Sequence, residues 1–285
     1  MNCDMRKIFC YITLFCLFLF VIGCSFNKNE FENELISFQI DYTEGWMNSQ
    51  LDKVGLSNYC LEKTLQGTFV PYSSDKNNLY LFCDYSENHD ILYHNSCLVV
   101  ETKNKVFFKH LSGSYSDELS VADIDGDQVD EIIVQSTVGM SGGAGQYMSR
   151  ILKISENGLF DIFLSSTSDL FDTGFCSKLE NNNKIKIKNR FTGYEIAIDV
   201  GNKYFGVFYD EAGSIINSKS ILCDSFKAFY PIDVDEDGVF EISCIQYVSL
   251  NSHSDYIGDA ETVIKFNAES KQFEVIKSAF VQART

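Results

Sequence analysis

Residues 123–131 read DIDGDQVDE and run directly into the apolar, strand-like IIVQ. Asp123, Asp125 and Asp127 stand at alternate positions, Gly126 lies between them, and Glu131 closes the run. Oxygen ligands at so short a spacing surround one hard cation, Ca2+ above all, when the backbone coils tightly around it. The pattern returns 110 positions later, at residues 233–241, as DVDEDGVFE followed by the apolar ISCI. One copy is an acidic turn. Two copies, each feeding a strand, indicate a repeated structural unit.

The flanks repeat as well. EIIVQ is followed by a polar Gly/Ser stretch, SRILKIS, the turn ENG and LFDIF; EISCIQ is followed by a polar stretch, ETVIKFN, the turn AESK and QFEVIK. Upstream, CLVVETKNKVFF parallels FGVFYDEAGSII, each read as strand, tight turn and strand. Half the repeat length is close to one four-stranded propeller blade, which directs attention to worn intermediate copies. Asx-rich turns at 75 and 181, taken with 127 and 237, are spaced by 52, 54 and 56 residues.

Periodicity of two dominates the mature chain. Strands are predicted at 79–84, 97–101, 105–110, 131–138, 146–154 and 159–164. A second set is predicted at 184–190, 195–200, 204–209, 214–217, 241–248, 260–266 and 272–276. Short helices at 32–40 and 50–56, flanking Trp46, are the only helical expectation. The fold class is therefore all-β, a propeller-like array of short antiparallel blades.

The acidic loops differ from a twelve-residue EF-hand, whose bidentate glutamate comes at position 12, where Val134 and Cys244 stand. With the carboxylate at position nine they resemble the calcium loops of FG-GAP/VCBS-type repeats, as in the β-propeller of integrin α-subunits. The resemblance covers about ten residues per copy, within a wider duplication over 79–276. It implies one Ca2+ held by Asp123, Asp125, Asp127, the Val129 carbonyl and Glu131. It implies a second held by Asp233, Asp235, Asp237, the Val239 carbonyl and Glu241. Gly238 stands at position six of the second loop, where a positive φ favours glycine, while the first has Gln128 there. The second loop is accordingly expected to be the better-formed site.

The N-terminus reads as an address. Arg6 and Lys7 precede the apolar run 8–22, which at about 15 residues matches a signal-peptide core rather than a membrane span of about 20. Val21-Ile22-Gly23-Cys24 resembles a bacterial lipobox, with Cys24 the lipidated residue. The expected organisation is signal peptide 1–23, lipidated cysteine and polar tether 24–36, and β-repeat ectodomain 37–285. Export and attachment to the cell membrane or outer surface through the lipid follow.

A net charge of −17 with no basic cluster argues against nucleic acid. Six cysteines remain in the mature chain beyond Cys24, with Cys83–Cys97 and Cys223–Cys244 as candidate disulfides and buried free thiols as the alternative. There is no CxxC, no HExxH among the four histidines and no GxSxG. The stretch GMSGGAG at 139–145 lacks a GK[ST] ending and a following helix, so it reads as a hairpin loop. Lys184, Lys186, Lys188 and Arg190 alternate with Ile185 and Ile187, the pattern of a strand with one solvated face.

Loops in equivalent places on repeated units make binding faces. Gln146, Tyr147 and Arg150 after the first glycine-rich turn, and His253, Asp255 and Tyr256 in its counterpart, are the candidate ligand contacts, against an ordinary hairpin role. The expected function is a calcium-stabilised, membrane-anchored, non-catalytic module binding protein or carbohydrate. An extracellular hydrolase and an envelope-assembly lipoprotein are the alternatives.

Overall fold

The computed structural model describes residues 59–70, 76–84, 94–102, 105–141 and 144–283. The signal segment, Cys24, the tether, Trp46 and both expected helices lie outside these residues. Among the described residues no helix is long and apolar enough to cross a membrane.

Fifteen strands form four antiparallel meander sheets among the described residues. The first contains β1 (Cys60–Gly67), β2 (Asn77–Asp84), β3 (His94–Glu101) and β4 (Val106–Ser114). The second contains β5 (Ser116–Ala122), β6 (Glu131–Ser141), β7 (Ala144–Ser155) and β8 (Gly158–Ser165). The third has only β9 (Phe175–Glu180), β10 (Lys184–Asn189) and β11 (Glu195–Asp199). The fourth contains β12 (Leu222–Ile232), β13 (Glu241–Ser249), β14 (Tyr256–Asn267) and β15 (Gln272–Gln282).

Each Asx-rich turn at 127, 181 and 237 falls in the connection from the first to the second strand of a sheet. In the β9–β10 turn Asn182 and Asn183 take φ of 64° and 56°, a left-handed conformation that asparagine tolerates better than most residues. Position 75 falls in the β1–β2 connection, outside the described residues.

All four strands absent from the sequence reading, β1, β5, β9 and β12, are the opening strands of their sheets. Polar residues interrupt their alternation: β9 is FCSKLE, β5 is SDELSVA, and β12 carries Pro231 and two register shifts against β13. Conversely, the strands expected at 204–209 and 214–217 are not strands. Residues 201–217 form turns joined by isolated bridges, Phe205 with Tyr209 and Tyr209 with Ile215. The reason lies in the core. Tyr204, Phe208 and Tyr209 turn inward beside Ile185, Ile187 and Ile198, and the Tyr209 hydroxyl donates to the Lys184 carbonyl at 2.5 Å. The parallel between CLVVETKNKVFF and FGVFYDEAGSII therefore holds only for the first, which is the β3–β4 hairpin.

The chain divides into two compact units, Met1–Gln66 with Asn78–Gly113, and Gly67–Asn77 with Ser114–Thr285. In the first unit Tyr80, Phe82, Cys97 and Val99 form a buried cluster on one face of β2–β3. Phe82 pairs with Cys97 while Cys83 pairs with Ser96, so the two cysteines point to opposite faces and cannot bridge. Burial pushes the Cys97 thiol up to about 11, so it is protonated at neutral pH. The second expected pair fails as well. Cys223 lies opposite Val248 and Cys244 opposite Phe229, four residues apart along β13 or about 13 Å. All six described cysteines are free.

In the second unit the fourth sheet supplies two cores. Phe226, Phe229, Ile242, Cys244 and Ile264 pack with Ala122, Ile133, Ile151 and Phe163 of the second sheet. Val248, Ile257, Ala260 and Phe280 pack with Leu179, Ile185, Ile187 and Ile198 of the third. Polar ties cross these contacts: Gln135 Nε2 donates to the Phe226 carbonyl at 2.6 Å, and Thr173 Oγ1 to Gln246 Oε1 at 2.5 Å. On β10 Ile185 and Ile187 are fully buried, and Lys186 and Lys188 pair outside with Glu195, as the alternating pattern implied.

Candidate functional site

The two acidic loops connect β5 to β6 and β12 to β13. They are built alike. Asp123 accepts from the Gly126 and Gln128 N–H groups, each at 2.8 Å, and Asp233 accepts from Asp237 and Gly238 at 3.2 and 3.1 Å. Asp127 and Asp237 accept from the Val129 and Val239 N–H groups at 2.9 and 2.8 Å. The glutamates Glu131 and Glu241 open the next strand. They are buried, and they accept from Ile124 at 2.8 Å and Val234 at 3.1 Å, across the mouth of each loop.

The backbones match where a difference was expected. Gly126 and Gln128 have φ of 79° and 67°; Glu236 and Gly238 have φ of 60° and 84°. Both loops thus need a left-handed residue at positions four and six, and each has one glycine for two such places. The presence of Gly238 does not make the second loop better formed, because Glu236 takes the strain there that Gln128 takes in the first. Gln128→Gly removes a side-chain clash of about 1–2 kcal/mol and adds unfolded-chain entropy of about 0.4–1 kcal/mol. A net gain of up to about 1 kcal/mol is expected, read as a raised urea midpoint with unchanged slope.

The loops also touch. The Phe240 N–H donates to the Asp123 carbonyl at 2.7 Å, and Val239 Cγ2 lies 3.4 Å from where a Cβ on Gly126 would stand. Asp130, next to the first cage, accepts from the Thr68 N–H at 2.6 Å and returns a bond to the Thr68 carbonyl at 2.8 Å.

What the sequence reading missed is a lysine in each cage. Lys153 Nζ lies 2.5 Å from Asp125, 2.8 Å from Asp127 and 3.0 Å from Glu131. Lys265 Nζ lies 3.4 Å from Asp235 and 2.6 Å from Glu241. The signal was in the repeat itself, since the return strands SRILKIS and ETVIKFN each carry a lysine behind two apolar residues. Burial is the largest influence on Glu131 and pushes it up to about 7, against the Ile124 N–H and Lys153, which favour the carboxylate. Burial alone would depress Lys153; its bonds to Asp125, Asp127 and Glu131 outweigh that and hold it above the ordinary lysine value.

The donor chemistry of both loops suits a hard cation: carboxylate oxygens of Asp123, Asp125 and Asp127 come within 4.8 Å of one another, as do those of Asp233, Asp235 and Asp237. In the first loop, however, an ammonium already engages Asp125 Oδ2, Asp127 Oδ2 and Glu131 Oε1, while the buried Asp125 Oδ1 has no hydrogen-bond partner. Lys265 leaves Asp237 aside, so the second loop retains more free carboxylate.

Of the six candidate ligand contacts, His253, Asp255 and Tyr256 lie between β13 and the start of β14, each with its own partner. His253 Nδ1 lies 2.6 Å from the Asp224 carboxylate, and the Tyr256 and Tyr247 rings meet at a tilt of 30° with centroids 4.4 Å apart. Asp255 is a brace rather than a free contact: it accepts from the Tyr204 hydroxyl at 3.0 Å and the Asn251 N–H at 3.2 Å, and pairs with Lys203 at 2.9 Å. In the first hairpin the Tyr147 N–H donates to Ser225 Oγ at 2.9 Å, which ties it to the start of β12. Gln146 lies against Gly139. Arg150 is buried, beside Met148 Sδ at 2.8 Å and Asp161 at 3.7 Å, among the sheet's own side chains.

A cavity of about 730 Å³ lies elsewhere on this unit, lined by Leu164, Leu170, Phe171, Phe191 and Phe273 with Asp169, Asp172, Arg190 and Glu274. Phe191 is 52% exposed on a rigid turn. The buried Asn189 accepts from the Phe191 and Thr192 N–H groups at 3.0 and 3.1 Å and donates to the Thr173 carbonyl at 2.7 Å. Arg190 lies over the Phe191 ring at 4.9 Å and pairs with Asp172. No sequence pattern singled this surface out, because its residues come from β8, the link to β9, the turn after β10, and β15.

The profile of the YybI C-terminal domain matches residues 174–281, a span that runs from β9 to β15 and includes the second acidic loop but not the first. The YybI protein of Bacillus subtilis (strain 168) is 24% identical over 165 residues, 56% of this chain. The match covers 61% of that relative, so the chain spans about three fifths of its length. No solved structure matches the chain significantly. The match to the YybI C-terminal domain thus falls on the part of the second unit that holds Lys265, the Asp224–His253 pair and Phe191.

Proposed function

We propose that the chain is an exported lipoprotein, anchored to the membrane through Cys24, whose β-sheets form a non-catalytic binding module at the cell surface. The basic start, apolar core and lipobox-like VIGC support the anchor. The four meander sheets are read as worn blades of a propeller-like array, with calcium a structural ion. The second loop is the one to hold it, through Asp233, Asp235, Asp237, the Val239 carbonyl and Glu241. When bound, the ion neutralises Asp233 and Asp237 and takes over Asp235 and Glu241 from Lys265.

The observation that carries the binding reading is the cavity beside Phe191. Phe191 is held exposed there by an asparagine-braced turn, and a prearranged apolar surface ringed by charges suits a protein ligand with apolar anchors better than a polar sugar. Phe191→Asp in the full chain should abolish capture of the surface ligand while leaving thermal unfolding unchanged. Capture that survives this substitution would remove the cavity from the function. A hydrolase remains the second reading, favoured by the Asp224–His253 pair, whose geometry orients an imidazole as in a general base. Turnover of a polymer substrate lost in His253→Ala would establish it instead.

A further inference from the structure

We infer that Lys153 is the resident cation of the first acidic loop, an ammonium tethered to β7 in the place a divalent ion would take. Its Nζ is shared among Asp125, Asp127 and Glu131 at 2.5, 2.8 and 3.0 Å, three of the four carboxylates of the motif. The fourth, Asp123, has both oxygens on backbone N–H groups. An ion using the same oxygens would sit within a few ångströms of the ammonium, where like charges repel strongly in a partly buried setting. It enters only if the lysine side chain leaves, and leaving strands a fully buried Glu131 beside two aspartates.

The ladder sets this position. Leu152 pairs with Ile132 and Ile264 pairs with Ile242, so the residue after each, Lys153 or Lys265, reaches back to the glutamate opening β6 or β13. The two copies then diverge. The Lys153 side chain is 19% exposed and has three carboxylate partners; that of Lys265 is 36% exposed and has two. The first loop is also the junction to Thr68 and to Phe240. Closed by its own lysine, that junction keeps its geometry whatever the metal supply, while the second loop is left to respond to it.

This inference rests on the reading of the loops as cation cages, and the two can fail separately. The test is calcium titration by calorimetry, with thermal unfolding, on the detergent-solubilised full chain carrying Asp233→Ala/Asp237→Ala. With Lys153 intact, no ion should bind at roughly millimolar Ca2+, and chelator should leave Tm unchanged. Adding Lys153→Met should lower Tm in chelator by on the order of 10 °C, create one calcium site, and restore Tm with Ca2+. An ion bound in the presence of Lys153, or a Lys153→Met chain as stable as its parent in chelator, would overturn the assignment. Where the double aspartate variant does not fold, stoichiometry decides with both loops unaltered: one additional ion in Lys153→Met supports the assignment and none overturns it. If the second loop binds no ion, its calcium reading falls while the assignment of Lys153 stands.

Discussion

Glu131→Ala is expected to lower the unfolding free energy by about 3 kcal/mol, read as a drop in the urea midpoint at unchanged slope. Its carboxylate is fully buried and does two things at once. One oxygen accepts from the Ile124 N–H at 2.8 Å, and the other faces Lys153 at 3.0 Å. Truncation leaves a buried backbone donor without an acceptor, a loss of about 1–3 kcal/mol, and breaks a buried ion pair, which by itself ranges to about 3–5 kcal/mol. The two do not add, because Lys153 keeps Asp125 and Asp127. Glu241→Ala provides the comparison: its bond to Val234 is longer, at 3.1 Å, and Lys265 is better solvated, so about half the effect is expected. Equal losses in the two variants would mean that the lysines do not distinguish the loops. Against a typical stability of about 5–15 kcal/mol, either loss is easily measured.

Phe163→Ala should be larger still, about 3–5 kcal/mol. The ring sits on β8 with only 6% of its surface exposed. It meets Phe171, Phe229 and Phe273 at centroid distances of 5.3, 5.2 and 5.1 Å, and Phe226 at 6.5 Å. These neighbours come from the second sheet's outgoing link and from both β12 and β15, so the cavity would open where the second and fourth sheets join. Relaxation is difficult there, since the four neighbouring aromatic rings cannot slide into the gap without losing their own contacts, the stacked Phe226–Phe229 pair among them. Phe160, three residues earlier on the same strand, is 44% exposed, and its replacement by alanine should change stability by no more than about 0.5 kcal/mol. A similar loss in both variants would place Phe163 outside the core.

The acidic loops were legible because their residues are contiguous: alternating aspartates, a glycine and a closing glutamate form a pattern within nine positions. The lysines that face them were not, although each sits in plain view on a repeated strand. Nothing local tells that Lys153, some twenty residues beyond Glu131, lies across a ladder from it. The candidate hairpin residues show the same limit. His253 and Tyr256 found partners in Asp224 and Tyr247, which belong to neighbouring strands, whereas Arg150 is buried with its guanidinium beside the outlying Asp161. Polar residues on strands alternate faces with period two, but which face is inside depends on the sheet that covers it.

Alone, the amino-acid sequence determined the all-β class, the phase of the turns between first and second strands, and the contiguous carboxylates of the two acidic loops. These are short-range properties, set by side-chain alternation, turn residues and contiguous carboxylates. Only the tertiary structure decided that Tyr204, Phe208 and Tyr209 turn inward from the surface turns of residues 201–217, that Cys83 and Cys97 face opposite ways, and that the exposed Phe191 borders a cavity. It alone brought Lys153 into the first loop as its cation. Strand pairing and sheet packing join residues far apart in the chain, and burial then sets whether a charge meets water, a metal or another side chain.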